Sequence, residues 1–320
     1  MGASGAPGLE PPASDPHALH AVLIEPQLAR FRALCGLEGV PLTTSFEGWH
    51  RHAILAPDRV FLFPRDRSRL PGLRRDAAVL AALEGRGVPA PRLLGRWDDR
   101  GVSPYPFIAV SRLPGRTWSQ LEGDAGLEAV TALAGALGAA VATWHRLERR
   151  TLPPTIPRQR NDVSRALDAG MQGPATGAAR RLGLPRRTAT AWLRRLEPLA
   201  GLPDVLVHGD LNEGQILVDG GLRVTGILDW ETAHVGHPLK DFDFGEWGYG
   251  IFAWDAHFDR LHRVMWRAYA AARDVPLPPW QAVHLFYCLR WVAWFEQRPA
   301  TDPWGRARLA TCLDRLRRLG

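Results

Sequence analysis

The sequence predicts an α+β protein, with a small N-terminal lobe built on an antiparallel β-sheet and a larger, mainly helical C-terminal lobe. Short strand-like runs separated by glycine and proline turns are concentrated in the first third of the chain. Apolar residues at helical spacing dominate the remainder. The chain has 320 residues, 46% hydrophobic and 23% charged, which is enough for two packed cores and excludes a disordered or coiled-coil protein.

The predicted N-terminal lobe covers residues 17–113 and follows a Gly-, Ala-, Pro- and Ser-rich start, residues 1–16, that is predicted to be flexible. A helix is predicted over 17–37, closed by glycines, and another over 70–84. The turn residues between the remaining apolar runs predict five strands, at 41–46, 51–55, 59–63, 92–97 and 106–112.

The predicted C-terminal lobe covers residues 114–320. It begins with a long helix over 126–147, which has a face of small residues, and continues through an Arg- and Pro-rich helical region to residue 199. Three short strands are predicted around a polar loop, at 205–208, 215–218 and 224–228. The end of the chain, 258–319, is predicted to be helical.

Nothing in the sequence predicts a membrane or an exported protein. The longest apolar stretches, such as 132–142, are broken by glycine and are shorter than the roughly 20 residues that cross a bilayer. The start lacks the charged and apolar regions of a signal peptide. Cys35, Cys288 and Cys312 are too few and too widely spaced for a disulfide framework or a zinc site. We therefore expect a cytoplasmic protein; the sequence leaves its oligomeric state open.

The net charge of +7 raises the question of nucleic-acid binding. Residues 145–195 hold twelve arginines and three acids, whereas residues 241–304 hold eight acids and six arginines. The arginine-rich segment has no zinc spacing or RNA-binding aromatic signature, and its helical spacing is typical of a solvated face. A basic nucleic-acid-binding protein is therefore the least favoured of the functions considered.

The strongest chemical motif is an apolar strand followed by His208-Gly209-Asp210, with a second acid, Asp229, beyond the next two strands. A hairpin of this length would bring Asp210 and Asp229 into one cleft. There, one carboxylate could accept a hydrogen bond from a hydroxyl and the other could hold a divalent cation against phosphates. A single aspartate after a strand is by default a turn residue, but the pair favours phosphoryl transfer.

At these residues the chain resembles the aminoglycoside phosphotransferase family, whose members have a protein-kinase-like two-lobed fold. The resemblance covers about residues 40–300. The family's His-Gly-Asp motif falls on His208, Gly209 and Asp210, its metal-binding Asn falls on Gln215, and its Ile-Asp-Trp-Glu motif falls on 228–231. A later motif containing glycine and proline occupies 236–241.

The resemblance implies a role for each matching residue. Asp210 would be the catalytic base, and Asp229 and Gln215 would bind Mg²⁺. Asp241 would be structural and brace the catalytic loop, and His208 would anchor the same loop. ATP or GTP would be the co-substrate, and the sequence does not distinguish between them.

In the N-terminal lobe the resemblance implies a nucleotide site. Gly48 lies in the turn that would cover the phosphates, and the backbone at Ser111 and Leu113 would contact the base. Asp76 would be the structural acid of the helix. Trp144-His145 matches a family helix end, where packing is favoured over catalysis.

The chain departs from the family pattern at positions that bear on activity. Gln215 is one methylene longer than the family's Asn. Leu62 occupies the position of the third-strand cation, and because Lys240 is the only lysine, an arginine would have to replace it. Arg51, near the glycine turn, is a candidate. With Asp76 in place of a longer Glu, the usual ion pair would be absent or rebuilt.

The acceptor is predicted to bind between the catalytic loop and the C-terminal helices, where Glu246, Trp247 and Asp255 are candidate contacts. Acids would suit a cationic amino sugar, and tryptophan would suit a larger apolar or glycosylated molecule. Each of these residues taken alone could equally be an ordinary core or surface residue.

The function predicted first is a kinase that transfers phosphate from ATP or GTP to a hydroxyl of a small molecule. The acceptor would be an aminoglycoside- or macrolide-like antibiotic or a metabolite. The alternative, given Leu62 and Gln215, is a catalytically impaired pseudo-enzyme of the same fold that binds a nucleotide or another ligand. Metal-dependent consumption of nucleotide distinguishes the two.

Overall fold

The computed structural model describes residues 22–45, 51–121, 126–242, 257–297 and 302–319. The chain divides into two compact units, one of residues 1–77 with 91–113 and the other of 78–90 with 114–320. This division, like the predicted lobe boundary, falls after Leu113. Residues 78–90 belong with the second unit, where the carbonyl of Pro89 accepts a hydrogen bond of 2.6 Å from the N–H of Ile227.

The first unit is built on a five-stranded antiparallel sheet in the order β1-β2-β3-β5-β4. The strands are β1 (Thr43–Ser45), β2 (Arg51–Leu55), β3 (Arg59–Pro64), β4 (Leu93–Trp97) and β5 (Phe107–Ser111). Its helices are α1 (Glu25–Cys35) and the first part of α2 (Leu70–Leu83). The N-terminal antiparallel sheet predicted from the sequence is confirmed.

Helix α1 is shorter than the predicted helix over 17–37. Within the described residues it begins after Ile24, whose N–H donates to the side chain of Gln27, and Pro26 suits the first turn. It ends at Gly36, which adopts a left-handed conformation with φ of 63°.

One face of the sheet carries an aromatic core. Phe61 and Phe63 alternate with Leu62 along β3, and both pack against Phe31 of α1. Phe107 of β5 stacks on Phe63 with ring centroids 4.6 Å apart. Leu62 lies on the opposite face and is partly exposed, as strand alternation predicts.

The second unit is mainly helical. Its helices are α3 (Leu127–His145), α4 (Asp162–Asp168), α5 (Gln172–Arg181), α6 (Arg186–Ala200), α7 (Phe258–Ala272), α8 (Trp280–Glu296) and α9 (Pro303–Leu319). Its short strands are β6 (Arg116–Thr117), β7 (Val205–Val207), β8 (Ile216–Val218), β9 (Val224–Ile227) and β10 (His234–Gly236). They form a three-stranded sheet, β6-β8-β9, and an antiparallel pair, β10-β7. The predicted helical C-terminal region is confirmed.

Helix α3 has the length and apolar composition of a membrane span, contrary to the expectation from the sequence that every apolar stretch is too short. Nine of its residues are buried, and it packs against α7. At Gly138 any side chain would overlap the backbone of Met265, so glycine permits this close helix packing. Burial in the helical core accounts for the apolar composition of α3.

Two histidines lie in the core formed by α7 and α8. His262 is fully buried and His284 is nearly so. Burial is the largest cause that lowers the pKa of each to about 3, and the charge of Arg315 contributes to the lowering of both pKa values. His284 stacks on Trp280 with ring centroids 4.5 Å apart. The folded protein therefore holds both rings neutral.

We expect the folded protein to lose stability as the pH falls below about 6.5, the pKa of an unfolded histidine. Between that pH and about 3, the unfolded chain binds more protons at His262 and His284 than the folded protein does. Thermal unfolding followed from pH 7.5 to 5 should show a falling Tm, with a smaller slope in His284→Gln. The exposed His257 provides the control variant, His257→Gln, which should keep the wild-type slope. A Tm that stays constant over this range would contradict the prediction.

Candidate active site

The motif His208-Gly209-Asp210 lies in the loop that follows β7, and its fold depends on His208. The His208 ring Nε2 donates to the carbonyl of Leu228 at 2.8 Å, and its Nδ1 accepts from the N–H of Asp210 at 3.4 Å. The hydroxyl of Thr232 donates to the His208 carbonyl at 2.9 Å. The histidine therefore ties the loop carrying Asp210 to the segment on either side of Asp229, which is the contact expected of a loop anchor.

Only glycine fits between His208 and Asp210. Gly209 has φ of 87°, which disfavours any other residue. A Cβ at this position would also lie 2.8 Å from the carbonyl oxygen of Thr232 and 3.1 Å from the ring of His234. The glycine of the motif is thus required by the close approach of the loop to residues 232–234.

Asp241 lies beneath this loop and accepts four hydrogen bonds. Its carboxylate receives the backbone N–H groups of His208 at 2.8 Å and Gly209 at 2.9 Å. It also receives the indole N–H of Trp144 at 2.9 Å and the Nε2 of His145 at 3.1 Å. These contacts are what the predicted bracing role requires.

Asp241 is ionised despite its burial. Burial by itself would raise the pKa of this carboxyl group, but the hydrogen bond from His145 and the backbone hydrogen bond from Gly209 lower the pKa to about 2. His145 is neutral, because burial lowers the pKa of its ring. Its Nδ1 accepts the hydroxyl of Tyr269 at 2.9 Å, which leaves Nε2 to donate to Asp241.

Asp210 and Gln215 are brought into direct contact. The side-chain amide of Gln215 donates to Oδ2 of Asp210 at 3.2 Å. Within the part of the chain that the structure describes, no hydrogen bond uses the other carboxylate oxygen. The Gln215 amide oxygen is buried and has no hydrogen-bond partner among the described residues. An unsatisfied buried carbonyl oxygen is costly unless a cation or donor fills the place beside it.

Asp229 lies two residues beyond the end of β9, and its neighbour Leu228 is bonded through the backbone to Gln215. The N–H of Leu228 donates to the carbonyl of Gln215 at 2.8 Å, and β8 pairs with β9 as the predicted hairpin. Asp229 has φ of 64°, a left-handed conformation that is uncommon for a residue other than glycine and is typical of functional turns. The hairpin therefore brings the backbone of the two predicted metal-binding residues together.

The oxygen atoms of the Gln215 amide and the Asp229 carboxylate are chemically suited to bind Mg²⁺. A neutral amide oxygen and a carboxylate are hard oxygen ligands, and Mg²⁺ is commonly held by one or two protein groups together with phosphates and water. In the described ranges no cluster of three or more His, Cys, Asp or Glu side chains is placed to hold a metal. The unsatisfied amide oxygen of Gln215 is the observation in favour of a cation here.

In the first unit, Arg51 and Asp76 form a buried ion pair between Nη1 of Arg51 and Oδ2 of Asp76. The sequence left open whether this ion pair is absent or rebuilt. The structure shows it rebuilt, with Arg51 of β2 as the cation. Leu62 takes no part in it.

The two predicted hinge residues differ in what they can offer a ligand. The backbone N–H of Ser111 donates to the carbonyl of Arg92, and the Ser111 hydroxyl accepts the Arg92 N–H, both at 2.9 Å. The backbone N–H of Ser111 is therefore not available to a bound base, whereas the hydroxyl can still donate its hydrogen. Leu113 follows two residues later, beyond the end of β5.

Four predicted site residues lie outside the described residues: Gly48, Glu246, Trp247 and Asp255. Their roles remain predictions. The sequence also missed two contributions that the structure shows. Asn212 donates to the carbonyl of Asp210 at 3.2 Å and accepts the N–H of Gly214 at 3.0 Å, which shapes the loop that carries Asp210. Trp144 and His145, expected only to pack, donate to Asp241.

Comparison with known proteins assigns this arrangement to a family. The sequence pattern of the Phosphotransferase enzyme family matches residues 43–286, about three quarters of the chain. Viomycin phosphotransferase of Streptomyces vinaceus is 28% identical over 207 residues, which cover 61% of this chain and 69% of that protein.

Solved structures agree on the fold. The GDP complex of wild-type aminoglycoside 2'-phosphotransferase-IIIa superposes with a TM-score of 0.56 at 17% identity, covering 92% of this chain and 98% of that one. A macrolide 2'-phosphotransferase from Brachybacterium faecium gives a TM-score of 0.54 at 24% identity, covering 89% and 97%. The predicted protein-kinase-like fold is confirmed.

Proposed function

This chain belongs to the phosphotransferase enzyme family, and on that premise we propose that it transfers the γ-phosphate of ATP or GTP to a hydroxyl of a small molecule. The observation that carries the proposal is the contact between Asp210 and Gln215, in a loop braced by Asp241 and joined to the segment of Asp229. Phosphoryl transfer needs groups held in fixed positions more than it needs covalent chemistry.

Asp210 would be the catalytic base. Its Oδ2 is held by the amide of Gln215, so the carboxylate is fixed in orientation. The remaining oxygen can accept the hydrogen bond of the acceptor hydroxyl and hold the hydroxyl oxygen in line with the γ-phosphorus. It can receive the proton as the new O–P bond forms, while the bond from the γ-phosphorus to the bridging oxygen breaks and ADP or GDP leaves. Because the backbone of the loop is held by Asp241 and His208, little reorganisation is needed when the acceptor binds.

Gln215 and Asp229 would hold Mg²⁺, with the amide oxygen of Gln215 and the carboxylate of Asp229 as ligands. The ion would neutralise charge on the nucleotide phosphates. Gln215 would then act through both ends of its amide group, with its nitrogen on Asp210 and its oxygen on the metal.

Replacement of Gln215 by leucine is expected to raise the Mg²⁺ concentration needed for half-maximal rate on the order of tenfold or more, the scale for a weakened metal shell. The apolar side chain removes the amide oxygen while keeping a similar volume. Gln215→Asn is the matched control, because it keeps an amide oxygen and should depend on metal more nearly as the wild type does. Rates measured across a Mg²⁺ titration check this, with Tm as a test for intact folding. Unchanged metal dependence in Gln215→Leu would argue that Gln215 serves only as a partner of Asp210.

The acceptor is proposed to be an antibiotic or a related hydroxylated metabolite. The relatives named above act, by their names, on viomycin, aminoglycosides and macrolides. Glu246, Trp247 and Asp255 are the proposed acceptor contacts, since acids suit cationic amino sugars and tryptophan suits a larger apolar molecule.

The nucleotide is proposed to contact Leu113, the carbonyl of Ser111 and the turn at Gly48. The complex with GDP among the similar structures supports a purine nucleotide but does not choose between ATP and GTP for this chain. We further propose a cytoplasmic location, on the sequence evidence given above.

The experiment that tests the function is a measurement of nucleotide consumption by the purified protein, with ATP and GTP separately, against a panel of hydroxylated antibiotics. An enzyme would consume nucleotide in a reaction that needs Mg²⁺ and would yield a phosphorylated acceptor. The pseudo-enzyme alternative predicts binding of the same nucleotides with no turnover on any acceptor.

A further inference from the structure

The C-terminal end of α7, with the residue that follows it, holds one residue of α3, His145. The hydroxyl of Tyr269 lies 2.9 Å from Nδ1 of the His145 ring. The guanidinium of Arg273 donates through Nη1 to the backbone carbonyl of the same histidine. Because residues four apart lie on the same side of a helix, both contacts come from one face of α7. His145 is thus held at its ring and at its backbone.

The close packing of α3 and α7 brings these groups within reach of each other. Gly138 lies seven residues before His145 and on the same face of α3. A Cβ at Gly138 would overlap the carbonyl oxygen of Met265, which lies one turn before Tyr269 on α7. The contact of the two helices at Gly138 therefore lies on the two faces that carry the histidine and the tyrosine.

The two partners of the His145 ring determine which of its nitrogens carries the hydrogen. Burial lowers the pKa of the ring, so the ring is neutral and has a single N–H. Asp241 is ionised and can only accept hydrogen bonds. Burial raises the pKa of Tyr269, so its hydroxyl keeps the hydrogen that it donates. Nε2 therefore donates to Asp241 at 3.1 Å while Nδ1 accepts from the tyrosine.

The hydroxyl of Tyr269 is the donor that this arrangement of the His145 ring requires. The other tautomer would place the lone pair of Nε2 against the negative carboxylate of Asp241. Without the hydroxyl, Nδ1 would be a buried acceptor that has lost its donor, which is costly and favours rotation of the ring or entry of water. Tyr269 is 1% exposed, so water does not replace its hydroxyl while the ring of the tyrosine is in place.

Asp241 links the orientation of His145 to the loop that carries Asp210. The same carboxylate oxygen, Oδ2, accepts from Nε2 of His145 and from the backbone N–H of His208. The other oxygen accepts the N–H of Gly209 at 2.9 Å. A displacement of about 1 Å at a catalytic group can cost about 100-fold in rate. A smaller displacement of the loop, transmitted through these hydrogen bonds, is therefore measurable as a change in rate.

We propose that Tyr269 is a positioning residue for phosphoryl transfer, because its hydroxyl keeps His145 in the orientation that donates to Asp241, which in turn holds the loop of Asp210. This inference rests on the proposed function, in which Asp210 is the base. Tyr269 acts only through His145 and Asp241, so the loss of its hydroxyl should change the rate of transfer and leave nucleotide affinity unchanged.

The main variant is Tyr269→Phe, which removes the hydroxyl and keeps the ring that packs against Phe242, with centroids 4.8 Å apart. Transfer of labelled γ-phosphate from ATP or GTP is measured with viomycin, an aminoglycoside and a macrolide as acceptors. We expect kcat to fall about 10-fold, below the cost of a full 1 Å displacement, with the KM for nucleotide unchanged.

A second readout observes His145 directly and does not depend on activity. Histidine is labelled with ¹⁵N, and the ring resonances of His145 are those missing from the spectrum of His145→Gln. In Tyr269→Phe the Nδ1 resonance should shift, because Nδ1 has lost its donor. The Nε2 hydrogen should exchange with water about 10-fold faster, the scale for losing one buried hydrogen bond.

His145→Gln also tests whether the effect of Tyr269 passes through His145. A glutamine N–H can donate to Asp241, and its amide has no tautomer for the tyrosine to select. Adding Tyr269→Phe to His145→Gln should therefore change kcat by less than about twofold, the limit for independent sites.

Tyr287→Phe is the matched control. Tyr287 is fully buried on α8, and its hydroxyl donates to the carbonyl of Leu239. The variant removes the same group from the same kind of environment without touching His145. It should lower Tm about as much as Tyr269→Phe and keep the wild-type kcat.

The outcomes separate this inference from the proposed function. If Tyr269→Phe keeps the wild-type kcat, or if Tyr287→Phe lowers kcat equally, Tyr269 has no positioning role and the inference is wrong while the proposed function stands. An equal effect of Tyr269→Phe in the His145→Gln background would likewise overturn it. If the wild-type protein transfers phosphate to no acceptor, the proposed function is refuted and this inference with it, whatever the His145 resonances show.

Discussion

Replacement of Asp210 by asparagine is expected to lower the rate of phosphoryl transfer about 10²- to 10⁴-fold, the usual scale for the loss of a general base. Asparagine keeps the size of the side chain but loses the negative charge and the ability to accept a proton. Nucleotide affinity should remain close to that of the wild type, because the carboxylate acts on the acceptor hydroxyl. Steady-state kinetics measures the expected fall in rate, and calorimetric titration with the nucleotide measures the affinity that should stay unchanged.

Asp229→Asn is the matched comparison for Asp210→Asn. It removes a carboxylate from the proposed metal site, so it should weaken Mg²⁺ and triphosphate binding together, whereas Asp210→Asn should leave both intact. If Asp210 were only a turn residue, Asp210→Asn would lower thermal stability and every activity in parallel. A folded Asp210→Asn protein with wild-type turnover would show that Asp210 is not the base.

The largest expected effect on stability is at Asp241. Replacing it by asparagine puts an N–H₂ group where four donors converge from His208, Gly209, Trp144 and His145. At least one buried donor then loses its acceptor, and the charge that stabilised the others is lost. We expect the free energy of unfolding to fall by about 3–5 kcal/mol, the range for breaking a buried charged network, as measured by urea denaturation.

Asp204→Asn is the control for this substitution. Asp204 is exposed, and its ion pair with Arg158 has an N···O distance of 3.4 Å. A surface pair of this kind contributes between about 0 and 1 kcal/mol. If Asp241→Asn were no more destabilising than Asp204→Asn, the hydrogen bonds to Asp241 would not be what holds the loop that carries Asp210.

The strands of the first unit could be predicted from the sequence because each is bounded by turn residues. Strand β2 has the predicted bounds, residues 51–55, and β3 extends the prediction over 59–63 by one residue, to Pro64. Alternation along β3 also assigned Phe61 and Phe63 to one face and Leu62 to the other, since the period of a strand is two residues. Here local pattern and tertiary packing agree.

Other elements were missed because their stability comes from partners distant in the sequence. Strand β10 is three residues long, contains a histidine and a glycine, and exists through its pairing with β7. Its residues have no strand-like alternation. Strand β6, two residues long, likewise depends on pairing with β8.

The candidate site shows the same difference between residues placed by local sequence pattern and residues placed by packing against distant parts of the chain. The placement of Asp210, Gln215 and Asp229 around one hairpin could be predicted from their spacing in the sequence, while their roles stay predictions. The pairing of Arg51 with Asp76 could not be predicted, because it depends on how α2 packs on the sheet 25 residues later in the chain. The sequence named Arg51 as a candidate cation only through its place near the glycine turn, and did not predict Asp76 as its partner.

The measurement that tests the central claim most directly is Mg²⁺-dependent transfer of labelled γ-phosphate from ATP or GTP to an acceptor, compared between the wild type and Asp210→Asn. Acceptors are drawn from aminoglycosides, macrolides and viomycin, and folding of both proteins is verified by Tm. We expect a phosphorylated acceptor from the wild type, at a rate at least about 100-fold above that of the variant. Equal rates in the two proteins, or nucleotide binding without transfer to any acceptor, would contradict it.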